Sequence, residues 1–327
     1  MSFSNANVLV TGGIGFIGSN LAMRLVEEGA NVTLIDSIIP EYGGNLRNIA
    51  PITSACRVNI SDVRDPHAMR YLIQGQDYLF NLAGQTSHMD SMAAPFTDLE
   101  INAYAQLSIL EACRRYNPGI RIVFAGTRQV YGRPQYLPVD EKHPVRPVDV
   151  NGINKVAGEN YHLLYGDVYG IRSTVLRLTN TYGPRMRVKD ARQTFIGIWI
   201  RLMLEGKPFD VWGGEQLRDF TYVDDCVDAM LLAARKDAAV GKIYNLGGEK
   251  NVSLLRLAEL LVEANSGEGE FRVRQFPEER KKIDIGDYYS DDTLIRKELG
   301  WETLVPLEEG LKRTVDYFRE NFLAYIL

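Results

Sequence analysis

Asn7-Val8-Leu9-Val10-Thr11-Gly12-Gly13-Ile14-Gly15-Phe16-Ile17-Gly18 is a short apolar run that ends in glycines spaced three apart, Gly12, Gly15 and Gly18. Val8, Leu9 and Val10 suffice for a strand, and Ile14 to Glu28 carries apolar residues at helical spacing. Strand, glycine turn and helix in that order are the context of a dinucleotide fingerprint. One glycine makes the tight turn, one lets the backbone approach a pyrophosphate, and one allows helix to pack on strand. Phosphate would then rest on the free N–H groups at the helix N-terminus. A glycine-rich turn without any ligand is the plainer reading. A second signal weighs against it: Val32-Thr33-Leu34-Ile35 is another strand, and Asp36 follows 18 residues after Gly18, near the spacing of a ribose-binding carboxylate. An acid there favours NAD over NADP, because it would repel a 2′-phosphate.

Outward from this stretch, Tyr78 to Gly84, Arg121 to Thr127 and Ser173 to Leu178 read as further strands. Asp65 and Pro66 supply the cap and first residue of a helix running to Gln74. Two long helices are expected, one from Phe96 to Tyr116 that includes Asn102, the other from Asn151 to Tyr169 with Asn154, Lys155 and Glu159 on its polar side. Strands alternating with helices imply crossover units, a parallel sheet, and ligands at the carboxyl ends of the strands. The expected fold is therefore α/β, a Rossmann-type doubly wound parallel sheet over residues 1–180 with later segments returning to it. A smaller C-terminal substrate-binding lobe takes most of 181–327. Thr11 to Gly15, Asp36, Asp62, Ala83 to Gln85 and Thr127 would share one sheet edge.

A chain of 327 residues allows one large or two unequal domains with a sizeable core. Its net charge of −5 argues against nucleic acid as a partner, which needs a basic stripe to displace counterions. No apolar run approaches the roughly 18 residues of a membrane span, and no leader pattern opens the chain, so a cytoplasmic protein off the membrane is expected. Cys56, Cys113 and Cys226 are scattered, as are His67, His88, His143 and His162, and none has metal-ligand spacing. No metal is expected. Positive charge gathers at Arg185, Arg187, Lys189 and Arg192 and again at Arg280, Lys281 and Lys282, each a solvated face or an anion site.

Taken in order, Thr11 to Gly18, Thr127 with Val130-Tyr131-Gly132, Lys155, Asn180 with Gly183-Pro184, Arg218-Asp219-Phe220 with Tyr222-Val223-Asp224, and Leu299-Gly300-Trp301 resemble the extended short-chain dehydrogenase/reductase family. Within it they are similar to its nucleotide-sugar epimerases and dehydratases, of the UDP-glucose 4-epimerase kind. The resemblance covers nearly the whole chain. It implies a tightly held NAD that takes hydride from a sugar carbon and usually returns it, with C4 epimerisation of a UDP-sugar as the expected reaction. By that resemblance Gly12, Gly15, Phe16, Ile17, Gly18 and Asp36 meet the cofactor, as do Asp62 and Val63 at the adenine. Leu82, Ala83, Gly84 and Asn102 meet it near the nicotinamide, and Lys155 bonds the nicotinamide ribose. Thr127 bonds the reacting hydroxyl, Asn180 and Arg218 contact the diphosphate, and Trp212 shelves the base. Arg280, or Lys281, is a second phosphate-binding cation. The physics agrees, since a diphosphate calls for a guanidinium fork with amide donors. The same resemblance implies a homodimer built on the helices that carry Leu107, Leu110, Leu163 and Leu164, although core packing accounts for those residues equally well.

Two departures matter. Where the family has a tyrosine four residues before the lysine, this chain has Asn151, and a carboxamide cannot serve as a general base near neutral pH. Three explanations compete: an introduced inactivating substitution, a natural variant that recruits another base, or a protein that no longer oxidises a sugar. Tyr131, Tyr182, His88 and Glu141 are the candidate substitutes; packing or substrate contact is the plainer reading of the tyrosines and a surface or capping role that of His88, but an imidazole after the fourth strand, facing the cleft, suits proton transfer best. The second departure is Arg128 and Gln129 directly after Thr127, where dehydratases carry acids. Neither can protonate a leaving hydroxyl, so 4,6-dehydration is disfavoured. Arg128 keeps decarboxylation of a uronic acid open, since a carboxylate needs a cation. Reduction of a sugar nucleotide and binding without catalysis are compatible with the same residues.

Overall fold

The computed structural model describes residues 2–39, 41–42, 44–192, 194–276 and 284–326. Strand β1 (Asn7–Thr11) leads through the glycine turn into α1 (Phe16–Glu27), with Gly15 at the N-cap. There follow β2 (Asn31–Asp36), β3 (Cys56–Ile60), α2 (Pro66–Leu72), β4 (Tyr78–Asn81), α3 (His88–Ala93), α4 (Pro95–Leu99), α5 (Ala105–Tyr116), β5 (Arg121–Thr127), α6 (Val150–Tyr169) and β6 (Arg172–Leu178). Asp65 caps α2 by accepting from His67 and Ala68 N–H, and Pro66 stands at the first helical position, as its missing N–H allows.

The expected single helix from Phe96 to Tyr116 is instead two helices, α4 and α5, joined by a π-helical turn over Glu100–Tyr104. Such turns widen the backbone by one residue and re-aim side chains. Here Asn102 is fully buried, donating to Asp98 Oδ2 at 3.1 Å and the Gln85 carbonyl at 2.9 Å. The preceding helix α3 was not foreseen. It begins where the Ser87 hydroxyl accepts from Asp90 N–H, a cap too short-ranged to stand out beside the neighbouring loop.

The remainder comprises β7 (Asn180–Tyr182), α7 (Phe195–Leu204), β8 (Phe209–Trp212), β9 (Leu217–Tyr222), α8 (Val223–Arg235), β10 (Ile243–Asn245), β11 (Asn251–Ser253), α9 (Leu254–Ala264) and β12 (Phe271–Arg274), then helices Thr293–Leu299 and Leu307–Asn321. Seven strands form one parallel sheet in the order β10-β6-β5-β4-β1-β2-β3. Its order reverses between β1 and β4, and that switch point opens a crevice at the carboxyl ends. Thr11 pins the crevice: its hydroxyl donates to Asn81 Oδ1 at 2.9 Å and accepts from Leu82 and Ala83 N–H.

Period-two alternation divides the strands between two cores. Val8 and Val10 pack with Leu34 against α1 and α8, while Leu9, Ile35, Leu79 and Ile122 face Ile109 and Leu110 of α5. A third core gathers Trp199, Phe209, Phe220, Leu257, Leu311 and Phe318 from the later segments. Leu110 is therefore core, whereas Leu164 is half exposed. Among the described residues no helix is long and apolar enough to cross a membrane, and no group of three or more His, Cys, Asp or Glu converges.

Candidate active site

A continuous cleft of about 780 Å³ runs along the carboxyl edge of the sheet. One end is walled by Gly12, Gly15, Phe16, Ile17 and Gly18, with Asp36, Asp62 and Val63 beyond them and Leu82, Ala83 and Gly84 opposite. The turn leaves no room for side chains. Gly12 has φ +66°, and a Cβ on Gly18 would stand 2.2 Å from the Gly12 carbonyl oxygen. The Asp36 carboxylate accepts from Ile38 N–H at 3.0 Å, and burial raises its pKa against the pull of those backbone donors. Asp62 is engaged by the Arg64 guanidinium at 2.7 Å, whose hydrogen bond holds its carboxyl below the usual range.

Midway along the cleft, α6 presents Asn151 and Lys155 to the wall. Lys155 Nζ donates to the Ala125 carbonyl at 3.2 Å and lies 5.2 Å from the Phe124 ring centroid. Burial pulls its pKa down to about 8, with Asp98 opposing. A Cβ on Gly84 would sit 2.9 Å from both Lys155 Nζ and Asn102 Oδ1, so glycine is what lets these two side chains approach the strand end. Asn102 Oδ1 is buried with no hydrogen-bond partner. The structure places Asn102 behind Gly84 rather than on the cleft wall. Asp98, fully buried, accepts from Asn151 (3.1 Å), Asn154 (2.7 Å) and Asn102. Three neutral donors thus satisfy one carboxylate that nothing in the local sequence announced.

The far end is cationic. Arg128 gives Nη2 to Asn180 Oδ1 at 3.1 Å and lies 5.0 Å from the Tyr288 ring centroid, while its Nη1 is buried without a partner. Arg218 bonds the carbonyls of Leu217 and Gly286 and lies 3.7 Å from Asp284. Burial lowers the pKa of both guanidiniums, that of Arg218 to about 10. Asn180 is fixed by donating to the Asp219 carbonyl at 2.9 Å, and Trp212 completes this wall. Arg280, with Lys281 and Lys282, lies outside the described residues. Arg187 and Arg192 of the other basic cluster pair with Asp190, and Arg185 bonds Asn20 and Asn48. Arg192 also lines the cleft.

Thr127, at the tip of β5, stands between the two ends and accepts from Gln129 N–H at 3.3 Å. Three of the four candidate bases are committed elsewhere. Tyr131 is buried, donates to Asn245 Oδ1 and accepts from Arg177. Tyr182 is buried and donates to the Leu307 carbonyl, and Glu141 accepts from Asn245 N–H. His88, the first residue of α3, lines the cleft. Its Nδ1 is 2.8 Å from Asp149 Oδ2 and its Nε2 is 2.9 Å from Gln129 Nε2. Asp149 escaped the sequence reading, although a carboxylate just before a helix is a cap signal, and it does cap α6 by accepting from Gly152 N–H at 2.7 Å.

The model of the NAD dependent epimerase/dehydratase family matches residues 8–247. A Methanocaldococcus jannaschii protein provisionally named a UDP-glucose 4-epimerase is 34% identical over 96% of this chain and 99% of its own length. UDP-glucuronic acid decarboxylase 1 of Xenopus tropicalis is 32% identical over 96% of this chain and 72% of its own. The crystal structure of UDP-glucose 4-epimerase from Thermotoga maritima with UDP-glucose superposes with a TM-score of 0.88 at 32% identity, covering 97% of this chain and 99% of that one. The chain belongs to the NAD dependent epimerase/dehydratase family, which uses NAD. Its tightly packed glycine turn, where a Cβ on Gly18 has no room, and the partnerless Asn102 acceptor beside Lys155 fit that cofactor.

Proposed function

We infer that this family member epimerises a nucleotide-diphosphate sugar, UDP-linked, at C4 through a transient keto sugar. The observation that carries the reading is the single cleft joining the glycine turn and Lys155 to a doubly cationic end, with Thr127 between them and no acid at positions 128 and 129. In this reading Gly12, Gly15, Phe16, Ile17 and Gly18 cradle the NAD pyrophosphate, and Asp36 takes the ribose. Asp62 and Val63 border the adenine. Leu82, Ala83 and Gly84 border the nicotinamide, with Asn102 and Lys155 behind them. NAD, when bound, supplies the hydride acceptor. Thr127 orients the reacting hydroxyl, Asn180 with Arg218 binds the diphosphate, Trp212 shelves the base, and His88 faces the sugar. Asn151 carries no proton between substrate and solvent.

The test is to incubate the purified protein with UDP- and dTDP-linked sugars, following products and nicotinamide absorbance. Conversion of a sugar to its C4 epimer is expected. Binding without conversion of any sugar would overturn the enzyme reading in favour of a non-catalytic binder.

Arg128 supports a second reading. A buried guanidinium nitrogen without a partner is costly, and an anionic ligand would relieve it. A uronic-acid carboxylate qualifies as well as a phosphate, which would make decarboxylation the reaction. Arg128→Met is expected to weaken ligand binding about 10- to 100-fold, the worth of a charge-assisted hydrogen bond. Calorimetry with UDP, UDP-glucose and UDP-glucuronic acid separates the cases: equal losses assign Arg128 to phosphate, a loss confined to the uronate assigns it to the carboxylate.

The surface supports the reading of a homodimer. Phe96 is 77% exposed on α4, and Ile153, Leu164 and Val168 are exposed on α6, which packs beside α4. Burying such side chains between copies is favourable by about 25 cal/mol per Å². Light scattering is expected to return twice the 36.9 kDa chain mass; Phe96→Glu should return the monomer.

A further inference from the structure

We propose that the proton transfer assigned in this family to tyrosine is carried here by His88, held by Asp149. This rests on the nucleotide-sugar reading above. Asn151, at the tyrosine's place, is not idle: its Nδ2 donates to the Gln85 carbonyl at 2.8 Å and to Asp98. Its amide is part of the buried bracing behind the cofactor wall, and a carboxamide has no proton to exchange near neutral pH.

The imidazole has the opposite setting. His88 stands on the cleft wall with its side chain 36% exposed, while the Asp149 side chain 2.8 Å from its Nδ1 is only 2% exposed. The contact is close without being a well-aligned hydrogen bond, and a buried carboxylate at that distance favours the proton on Nδ1 and leaves the other ring nitrogen as the acceptor. That other nitrogen, Nε2, meets the Gln129 side chain, and the backbone N–H of the same Gln129 bonds Thr127. One residue therefore bridges the hydroxyl anchor and the accepting imidazole nitrogen, and a sugar hydroxyl would replace the Gln129 amide there. Asp149 is itself fixed, since its Oδ1 accepts from Gly152 N–H at the start of α6. Burial raises its pKa, but His88, Gly152 N–H and Arg128 outweigh that and hold the carboxyl below its usual range. The charged groups around His88 are Asp149 at the head of α6, Arg128 beyond it, and on its own helix Asp90, which is paired with Arg192 at 3.1 Å.

In the forward step the sugar O–H bond breaks and its proton passes to His88 Nε2. NAD, held by the Gly12, Gly15 and Gly18 turn and by Lys155, would supply the acceptor for the C4–H hydride as the C–O bond becomes a carbonyl. The return step reverses each transfer at the other face of the sugar, so nothing is consumed. His88 is then a catalytic residue and Asp149 a positioning residue.

The test compares wild type, His88→Gln and Asp149→Asn; asparagine still caps a helix, which keeps α6 intact. His88→Gln is expected to lower kcat about 10²- to 10⁴-fold with sugar-nucleotide affinity little changed. Asp149→Asn is expected to lower kcat less, with sugar-nucleotide affinity likewise little changed. Nitrogen-15 NMR of the apo protein reads the tautomer independently, with the proton expected on Nδ1 in wild type and redistributed in Asp149→Asn. A wild type that converts its sugar while His88→Gln keeps pace overturns the proposal and leaves the epimerase reading standing, as does a proton found on Nε2 in wild type. A wild type that converts no sugar nucleotide overturns both.

Discussion

Gly18→Ala should strip the protein of bound NAD. The new Cβ would stand 2.2 Å from the Gly12 carbonyl oxygen and 2.9 Å from the Gly12 carbonyl carbon and the Gly13 Cα. These are backbone atoms of the turn, so no side chain can swing aside. The turn has to open, and the N–H groups at the head of α1 lose their aim at the pyrophosphate. Cofactor released by denaturing the purified variant, measured by its absorbance, should fall from near one per chain to near none. Circular dichroism should still show the α/β fold, since the strain is local. Retention of stoichiometric NAD would contradict the assignment of this turn as the cradle.

Lys155→Met should separate function from stability. The ammonium is buried against Ala125 and Phe124, and its pKa falls from 10.5 to about 8 on folding. A lowered lysine pKa means that charging the group costs the folded state. The cost is absent above the unfolded value of 10.5, grows as pH falls from there, and is complete below about 8. At pH 7 the apo form of the methionine variant should therefore be more stable by about 1–3 kcal/mol, the upper figure being the full shift and the lower allowing for the neighbour that Asp98 loses. The gain should vanish towards pH 10.5. Turnover should fall about 10²- to 10³-fold if, as proposed, this cation lies beside the nicotinamide. Thermal midpoints of the apo proteins at pH 7 and pH 10, beside kcat, decide it. A variant less stable than wild type at pH 7 would show that the ammonium is well paired in the resting protein.

Each of these expectations begins from residues that stand out in the linear chain. Gly12, Gly15 and Gly18 are legible because a positive φ and a backbone approach demand glycine at fixed positions, and Asp36 because a strand end fixes its distance from the turn. The helix expected from Phe96 to Tyr116 was half legible. Its apolar spacing survives in α5, but the π-helical turn at Glu100–Tyr104 is held by Asp98 and Gln85, partners that no periodicity reveals. His88 could be suspected from its residue type alone. Asp149 was not singled out, since a carboxylate just before a helix is an ordinary cap.

The sequence by itself determined the parallel sheet, the dinucleotide turn and the family, because those rest on local backbone requirements and alternating burial, which repeat along the chain and leave a pattern in it. Only the tertiary structure decided which polar groups meet in the cleft. His88, Gln129 and Asp149 come from three different segments, and Asn151 is turned into the bracing of Asp98 by the packing of α6 on α4. Such meetings depend on how far each helix is rotated and where each strand ends, and a side chain's partner across that space leaves no periodic trace in the residues around it.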